Sequence, residues 1–161
     1  MKVSSIGIRN GIIDDKYGQF GTQFLDGMPT YSLPFDIQDV PEGTKAFAVV
    51  LDDKDAIPVA GFDWIHWLIA NLKQTSLPEN VSIRQDNDFI QGLSSWNVPL
   101  YGGMMPPDRA HTYDLTVYAL DTELPLKTGF SYDELMVSMQ GHIIAEAETH
   151  GIYPSIKDEV I

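Results

Sequence analysis

Lys45–Leu51 reads "KAFAVVL", six apolar residues in a row after a single lysine. Its apolar residues fall on both alternating faces, so as an extended segment it has no side suited to water. Such a strand belongs at the centre of a sheet that is covered on each side. Thr112–Leu120, "TYDLTVYAL", alternates instead: Tyr113, Leu115, Val117 and Ala119 share one face, and Thr112, Asp114 and Thr116 share the other. It reads as a strand with one face toward water.

Most other apolar stretches are short, rich in β-branched and aromatic residues, and separated by Pro, Gly, Asn and Asp. That pattern predicts many strands joined by turns, a mainly β class. Asn10-Gly11 and Asp26-Gly27 are turn signals in the first thirty residues. The exception is "SYDELMVSMQ", where Ser131 and Glu134 have the spacing of a capping box, so a short helix is expected that ends near Gly141. After it, "HIIAEAET" returns to strand alternation, with Ile143, Ala145 and Ala147 opposite Glu146 and Glu148. There is no internal repeat.

A chain of 161 residues is the size of one ordinary domain, here expected to span residues 1–161. Ten basic against twenty-three acidic residues give a net charge of −13, a field that repels phosphodiester backbones and anionic lipid. Nucleic acid is therefore not an expected partner. The absence of cysteine excludes disulfides, thiolate zinc sites and cysteine nucleophiles. The start, "MKVSSIGIRNG", lacks the apolar core of a secretory signal, and no apolar run approaches the ~20 residues of a membrane span. A cytoplasmic protein without membrane insertion is expected.

Two segments carry candidate chemistry. In "DDKDAIPVAGFDWIHW", Asp53 and Asp55 lie two apart, so in an extended segment both carboxylates point the same way; a solvated acidic loop at a strand end is the plainer alternative. His66 sits inside the apolar "WIHWLIA" and would share its face with Trp64 and Leu68. It is either a core histidine satisfied by a carbonyl or, with an aspartate on one ring nitrogen, an imidazolium that holds an anion. On the second reading, anion affinity weakens as pH rises through the histidine range.

In "YGGMMPPDRAHTY", Gly102 and Gly103 would let backbone N–H groups converge on an anion, and Pro106-Pro107 would stiffen the far wall. His111 and Tyr113 share a strand face. An ordinary Pro/Gly loop before a strand is the alternative, with Met104 and Met105 as gap fillers. Ser94-Ser95 has no G-x-S-x-G elbow, and no H-x-x-x-H or H-E-x-x-H spacing supports a metal site. His142 and His150 have no paired motif and are expected to be structural or exposed.

Taken in series, these motifs resemble the phosphatidylethanolamine-binding protein family, in its bacterial and archaeal Raf-kinase-inhibitor-like (YbhB/YbcL) branch. "YSLPFDIQDVPEGTKAFAVVLDD" is similar to the family's S-P-P-L-x-W…V-P-x-G-T-K-S-F-A segment, and "DKDAIPVAGFDWIHWLIANL" to its D-P-D-A-P…W-x-H-W region. "NDF" at Asn87–Phe89, "YGGMMPPDRAHTYDLTVYALD" and "GHIIAEAETHGIY" follow in family order, covering roughly Ser32 to Tyr153. Lys54 stands where the family has proline, Ile57 adds a residue before Pro58, and Thr112 stands where the family has arginine. Leu33 and Ile37 replace a proline and a tryptophan.

The resemblance implies a Greek-key β-sandwich of antiparallel sheets with a few short helices. It also implies one small pocket for phosphate or a phosphorylated or anionic ligand, lined by Asp53, Asp55, Trp64, His66, Tyr101, Pro106, Pro107, His111 and Tyr113. No cofactor or metal is expected. A non-enzymatic binding module that modulates a kinase or protease partner is the first functional expectation. A hydrolase using an Asp/His general base in the same pocket is the alternative. A homodimer is a further expectation, since members of this branch often pair.

Overall fold

The stretch that is apolar on both faces forms the middle of a strand whose eight residues, Ala46–Asp53, are all buried. The computed structural model describes residues 1–161. In chain order its strands are β1 (Lys2–Ser4), β2 (Ile8–Arg9), β3 (Ile12–Ile13), β4 (Phe24–Leu25), β5 (Met28–Pro29), β6 (Phe35–Gln38), β7 (Ala46–Asp53), β8 (Trp64–Leu72), β9 (Ser76–Leu77), β10 (Ile90–Gln91), β11 (His111–Leu120) and β12 (Ile143–Tyr153). Its helices are α1 (Ile57–Ala60) and α2 (Tyr132–Met139). None is long and apolar enough to cross a membrane.

Seven strands form one sheet in the order β10-β8-β7-β11-β12-β3-β2, three form a second in the order β1-β6-β9, and β4 and β5 make a separate hairpin. All pairings between these strands are antiparallel except the parallel pair Ile152–Ile12 between β12 and β3. The two faces of β7 feed two cores. Phe47, Val49 and Leu51 pack with Trp67, Ile69, Leu115 and Val117 against Val3, Phe35, Ile37 and Leu77 of the smaller sheet. Ala48 and Val50 pack with Leu68 and Ala70 under Phe130, Leu135 and Met139, the last two from α2. The fold is thus mainly β: two facing sheets, with a helix on the outer side of the larger one.

Local signals act where the residues place them. Asn10 and Gly11 both have positive φ (53° and 78°), the geometry of a two-residue turn that matches strand twist, and they join β2 to β3. Asp26-Gly27 does the same between β4 and β5. Ser131 Oγ accepts from the Glu134 amide, and the Glu134 carboxylate accepts from the Ser131 amide, both at 3.1 Å, so the capping box starts α2. β11 keeps its alternation, with Tyr113, Leu115, Val117 and Ala119 buried and Thr112, Asp114 and Thr116 half-buried.

A buried polar knot ties the central strands to the segments on either side of β10. Trp67 Nε1 and Ser82 Oγ donate to Gln91 Oε1 at 2.7 and 2.6 Å, and Gln91 Nε2 donates to the Ser82 carbonyl at 3.0 Å. Ser82 Oγ in turn accepts from the Tyr101 amide at 2.9 Å. Gln91→Leu keeps the volume but strands the Trp67 N–H and the Ser82 hydroxyl. It should therefore cost ~3 kcal/mol in urea unfolding. A loss below about 1 kcal/mol would show that water can replace the knot.

Candidate functional site

The apolar pattern of β7 ends in two aspartates, and strand alternation sends them to opposite faces. Asp53 turns inward. Asp52 turns outward, where Lys54 Nζ bridges it to Asp114 at 2.9 and 3.2 Å. Asp55 does not continue the alternation, because Lys54–Ala56 form a 3₁₀ turn. Its carboxylate instead accepts from the Thr112 amide at 2.9 Å and lies 3.7 Å from Arg109. The expectation that Asp53 and Asp55 point the same way fails for this reason: the strand stops between them.

β8 contains a bulge at the histidine. Asp53 pairs with Trp64 and Asp52 with Ile65, but the next pair is Leu51 with Trp67, so His66 is an extra residue. An extra residue re-aims the side chains around it. Trp64 and His66 line a cavity, Trp67 also faces the inner core, and Leu68 turns to the outer one. His66 and Leu68 therefore do not share a face, contrary to simple alternation.

The cavity, about 290 Å³, brings the two sequence segments together. Asp53, Trp64, His66, Pro107, His111 and Tyr113 lie on its wall. Asp55, Tyr101 and Pro106 do not. Tyr101 is fully buried in the core, where its hydroxyl donates to the Tyr17 carbonyl at 2.7 Å. Pro106 is buried in the loop, and only its neighbour Pro107 reaches the cavity. Trp96, Met105 and three residues of the covering segment, Ala56, Val59 and Ala60, complete the lining. Of the two methionines expected to fill gaps, Met104 is in the core while Met105 borders the cavity.

Trp96 is absent from the sequence expectation because its loop carries no spacing signal. In the folded chain its ring meets Trp64 and His66 edge-on, with centroids 5.2 and 5.3 Å apart. Gly102 is required beside it: a Cβ there would run into the Trp96 ring.

The two histidines differ electrostatically. His66 Nδ1 donates to the Gly102 carbonyl at 2.6 Å, and burial pushes its pKa down to about 4. At neutral pH it is an uncharged imidazole, so it does not supply the imidazolium that the sequence reading had it share with an aspartate. His111, fully buried, has Asp53 Oδ2 at 2.7 Å from Nδ1 and Asp108 Oδ1 at 2.7 Å from Nε2. Two carboxylate oxygens facing one ring are satisfied when both nitrogens donate. The step of three residues from Asp108 to His111 is the one sequence signal that points to Asp108. Burial pushes the Asp53 carboxyl up despite its His111 hydrogen bond, whereas the same histidine holds Asp108 below the usual carboxylate range.

The glycine amides are already used: Gly102 N–H donates to the His66 carbonyl and Gly103 N–H to the Pro29 carbonyl, each at 2.8 Å. They cannot converge on an anion as the sequence suggested. What remains open belongs to side chains. Asp53 Oδ1, Trp64 Nε1 and Tyr113 Oη are buried and have no hydrogen-bond partner. Burial also pushes the Tyr113 phenol well above its ordinary pKa, so it stays a donor.

Residues 4–154 match the family model described as phosphatidylethanolamine-binding protein. The YxkA protein of Bacillus subtilis is 41% identical over 152 residues, covering 85% of this chain and 90% of that protein. Among solved structures, the PEBP homolog CT736 from Chlamydia trachomatis superposes with a TM-score of 0.81 at 32% identity, covering 94% of this chain and 95% of the other. YbcL of E. coli, described as a member of the mammalian PEBP family, gives 0.81 at 29% identity, with 97% and 98% covered.

The depressed pKa of His66 has a consequence for stability. Above pH ~6.5 the histidine is neutral in both folded and unfolded chains. As pH falls from there toward about 4, only the unfolded chain takes up the proton, and stability is lost. His66→Gln keeps a donor for Gly102 but does not titrate. The difference between wild type and variant in urea unfolding should therefore change by ~3 kcal/mol between mildly alkaline and acid buffer. A constant difference would mean that His66 is not held neutral.

Proposed function

We propose that this chain, which belongs to the phosphatidylethanolamine-binding protein family, binds the phosphoryl group of a small phosphomonoester in its cavity without chemically transforming it. The observation that carries the reading is the set of three buried, unpartnered atoms on cavity-lining residues: two donors, Trp64 Nε1–H and Tyr113 O–H, and one acceptor, Asp53 Oδ1. Buried polar groups without partners are costly, so a site of this kind is completed by something polar.

A singly protonated phosphoryl group matches the set. Two of its oxygens accept from Trp64 and Tyr113, and its own O–H donates to Asp53. A bare dianion matches less well, because Asp53 would face an oxygen with no proton between them and no lysine or arginine lines the cavity. Phosphoethanolamine, the head group that the family's name implies, adds an ammonium that can also serve an acid. The aromatic and alkyl lining, Trp96, Val59 and Met105, strengthens these hydrogen bonds by keeping bulk water away.

The hydrolase reading has one observation in its favour, the Asp53–His111 contact at 2.7 Å, which is the pairing a general base uses. The ring opposes it, because with an acid on each nitrogen both nitrogens donate and neither has a lone pair to take a proton from water. Binding is therefore the reading the geometry favours. Ile57, Val59 and Phe62, about half exposed on the segment beside the cavity, are the apolar surface this reading assigns to a kinase or protease partner.

Titration with inorganic phosphate and phosphoethanolamine, followed by Trp fluorescence and calorimetry, tests the proposal. Affinity for phosphoethanolamine should fall as pH rises past ~6, where phosphomonoesters lose their second proton. Sulfate, which carries no proton in that range, should bind poorly throughout. Tyr113→Phe should weaken phosphate binding by about tenfold, the worth of one hydrogen bond to a charged group. Equal affinity for sulfate and phosphate in mildly acid buffer would overturn the assignment of Asp53 as acceptor.

A further inference from the structure

We infer that Asp108 is a specificity-determining residue that holds the ligand's place at His111 Nε2, and that an anionic ligand enters by displacing its carboxylate. The inference rests on the phosphoryl reading above and concerns a residue that does not itself line the cavity.

His111 is held by two carboxylates at the same 2.7 Å, but they are built differently. The Asp53 side chain is 5% exposed at the end of a central strand, paired across to β8, and has nowhere to go. The Asp108 side chain is 38% exposed on the loop between Pro107 and β11. The backbone beyond it is pinned, with the Ala110 amide donating to Glu159 and the Thr112 amide to Asp55, both at 2.9 Å. Release therefore needs only rotation of the Asp108 side chain, not movement of the loop. A second partner is already close, since Arg109 Nε lies 3.9 Å from Asp108 Oδ2. One acid is a fixed support, and the other is exchangeable.

The exchange also selects. His111 is fully buried, and its Nε2 faces a charged oxygen. Only a ligand that brings an anionic oxygen of its own replaces that interaction without loss, because charge-assisted hydrogen bonds are roughly twice as strong as neutral ones. Neutral ligands of the same size are refused by the residue already in place. Phosphate monoanions, which offer both the anionic oxygen for His111 and the O–H for Asp53, are accepted.

Asp108→Asn tests this. The amide keeps the size and the acceptor oxygen but removes the charge that competes with the ligand. Inorganic phosphate, titrated calorimetrically in mildly acid buffer, should bind about tenfold more tightly to the variant, which corresponds to ~1.4 kcal/mol. Asp88→Asn removes the same charge from an exposed position elsewhere and should leave the affinity unchanged. In a His111→Gln background the gain from Asp108→Asn should vanish.

Unchanged or weaker binding by Asp108→Asn, with wild type still binding, overturns the inference and leaves the phosphoryl reading intact. An equal gain in Asp88→Asn, or a gain that persists without His111, overturns it too, because the effect would then be one of net charge. If neither wild type nor Asp108→Asn binds phosphate, the phosphoryl reading fails and this inference fails with it.

Discussion

Both faces of β7 have to be covered, and the other layers are arranged to do it. A strand with eight buried residues cannot sit at an edge or on a one-sided sheet, so it needs a layer above and a layer below. The smaller sheet supplies one through Phe35, Ile37 and Leu77, and the segment ending in α2 supplies the other through Phe130, Leu135 and Met139. Strands β8 and β11 flank β7 and share the same division of faces. The cavity forms where this apolar sequence ends. At Asp52 and Asp53 the alternation continues but the chemistry changes, delivering one carboxylate to Lys54 outside and one to His111 inside.

The site then results from two departures from regular geometry. The bulge at His66 lets Trp64, His66 and Trp67 all turn inward, which no unbroken strand allows. The missing side chain at Gly102 leaves room for the Trp96 ring, and the Gly102 backbone exchanges hydrogen bonds with His66 in both directions. The result is a neutral imidazole used for support and a second imidazole between two acids. Both hold their places through polar contacts that the low-dielectric surroundings strengthen. The atoms left without partners on Asp53, Trp64 and Tyr113 are the polar groups of the cavity wall that this framework does not itself satisfy.

Some of this was legible in the residues alone, and the limits have physical causes. The double-sided pattern of "KAFAVVL", the clean alternation of "TYDLTVYAL", the Ser131–Glu134 capping box and the Asn10-Gly11 turn are local signals, and each acts where it stands. Asp53, Trp64, His66, Pro107, His111 and Tyr113 were likewise named from their motifs and do meet at one cavity. Tyr101 was misplaced because a tyrosine beside two glycines gives no clue to which side of the chain the core lies. Its hydroxyl is spent on Tyr17, 84 residues away. Asp55 was misplaced because a strand end within a run of acids is decided by the turn that follows it.

The mainly β class, the turns and the identity of the central strands follow from the order of residues, because each depends on neighbours a few positions away. The partners of the charged and aromatic groups do not. Which histidine receives the strand-end aspartate, whether the glycine amides are free, and that Trp96 belongs to the site were decided only when strands distant in sequence came into register. The extra residue at His66 then determined which side chains of the site faced inward, because in a strand the two faces are one residue apart.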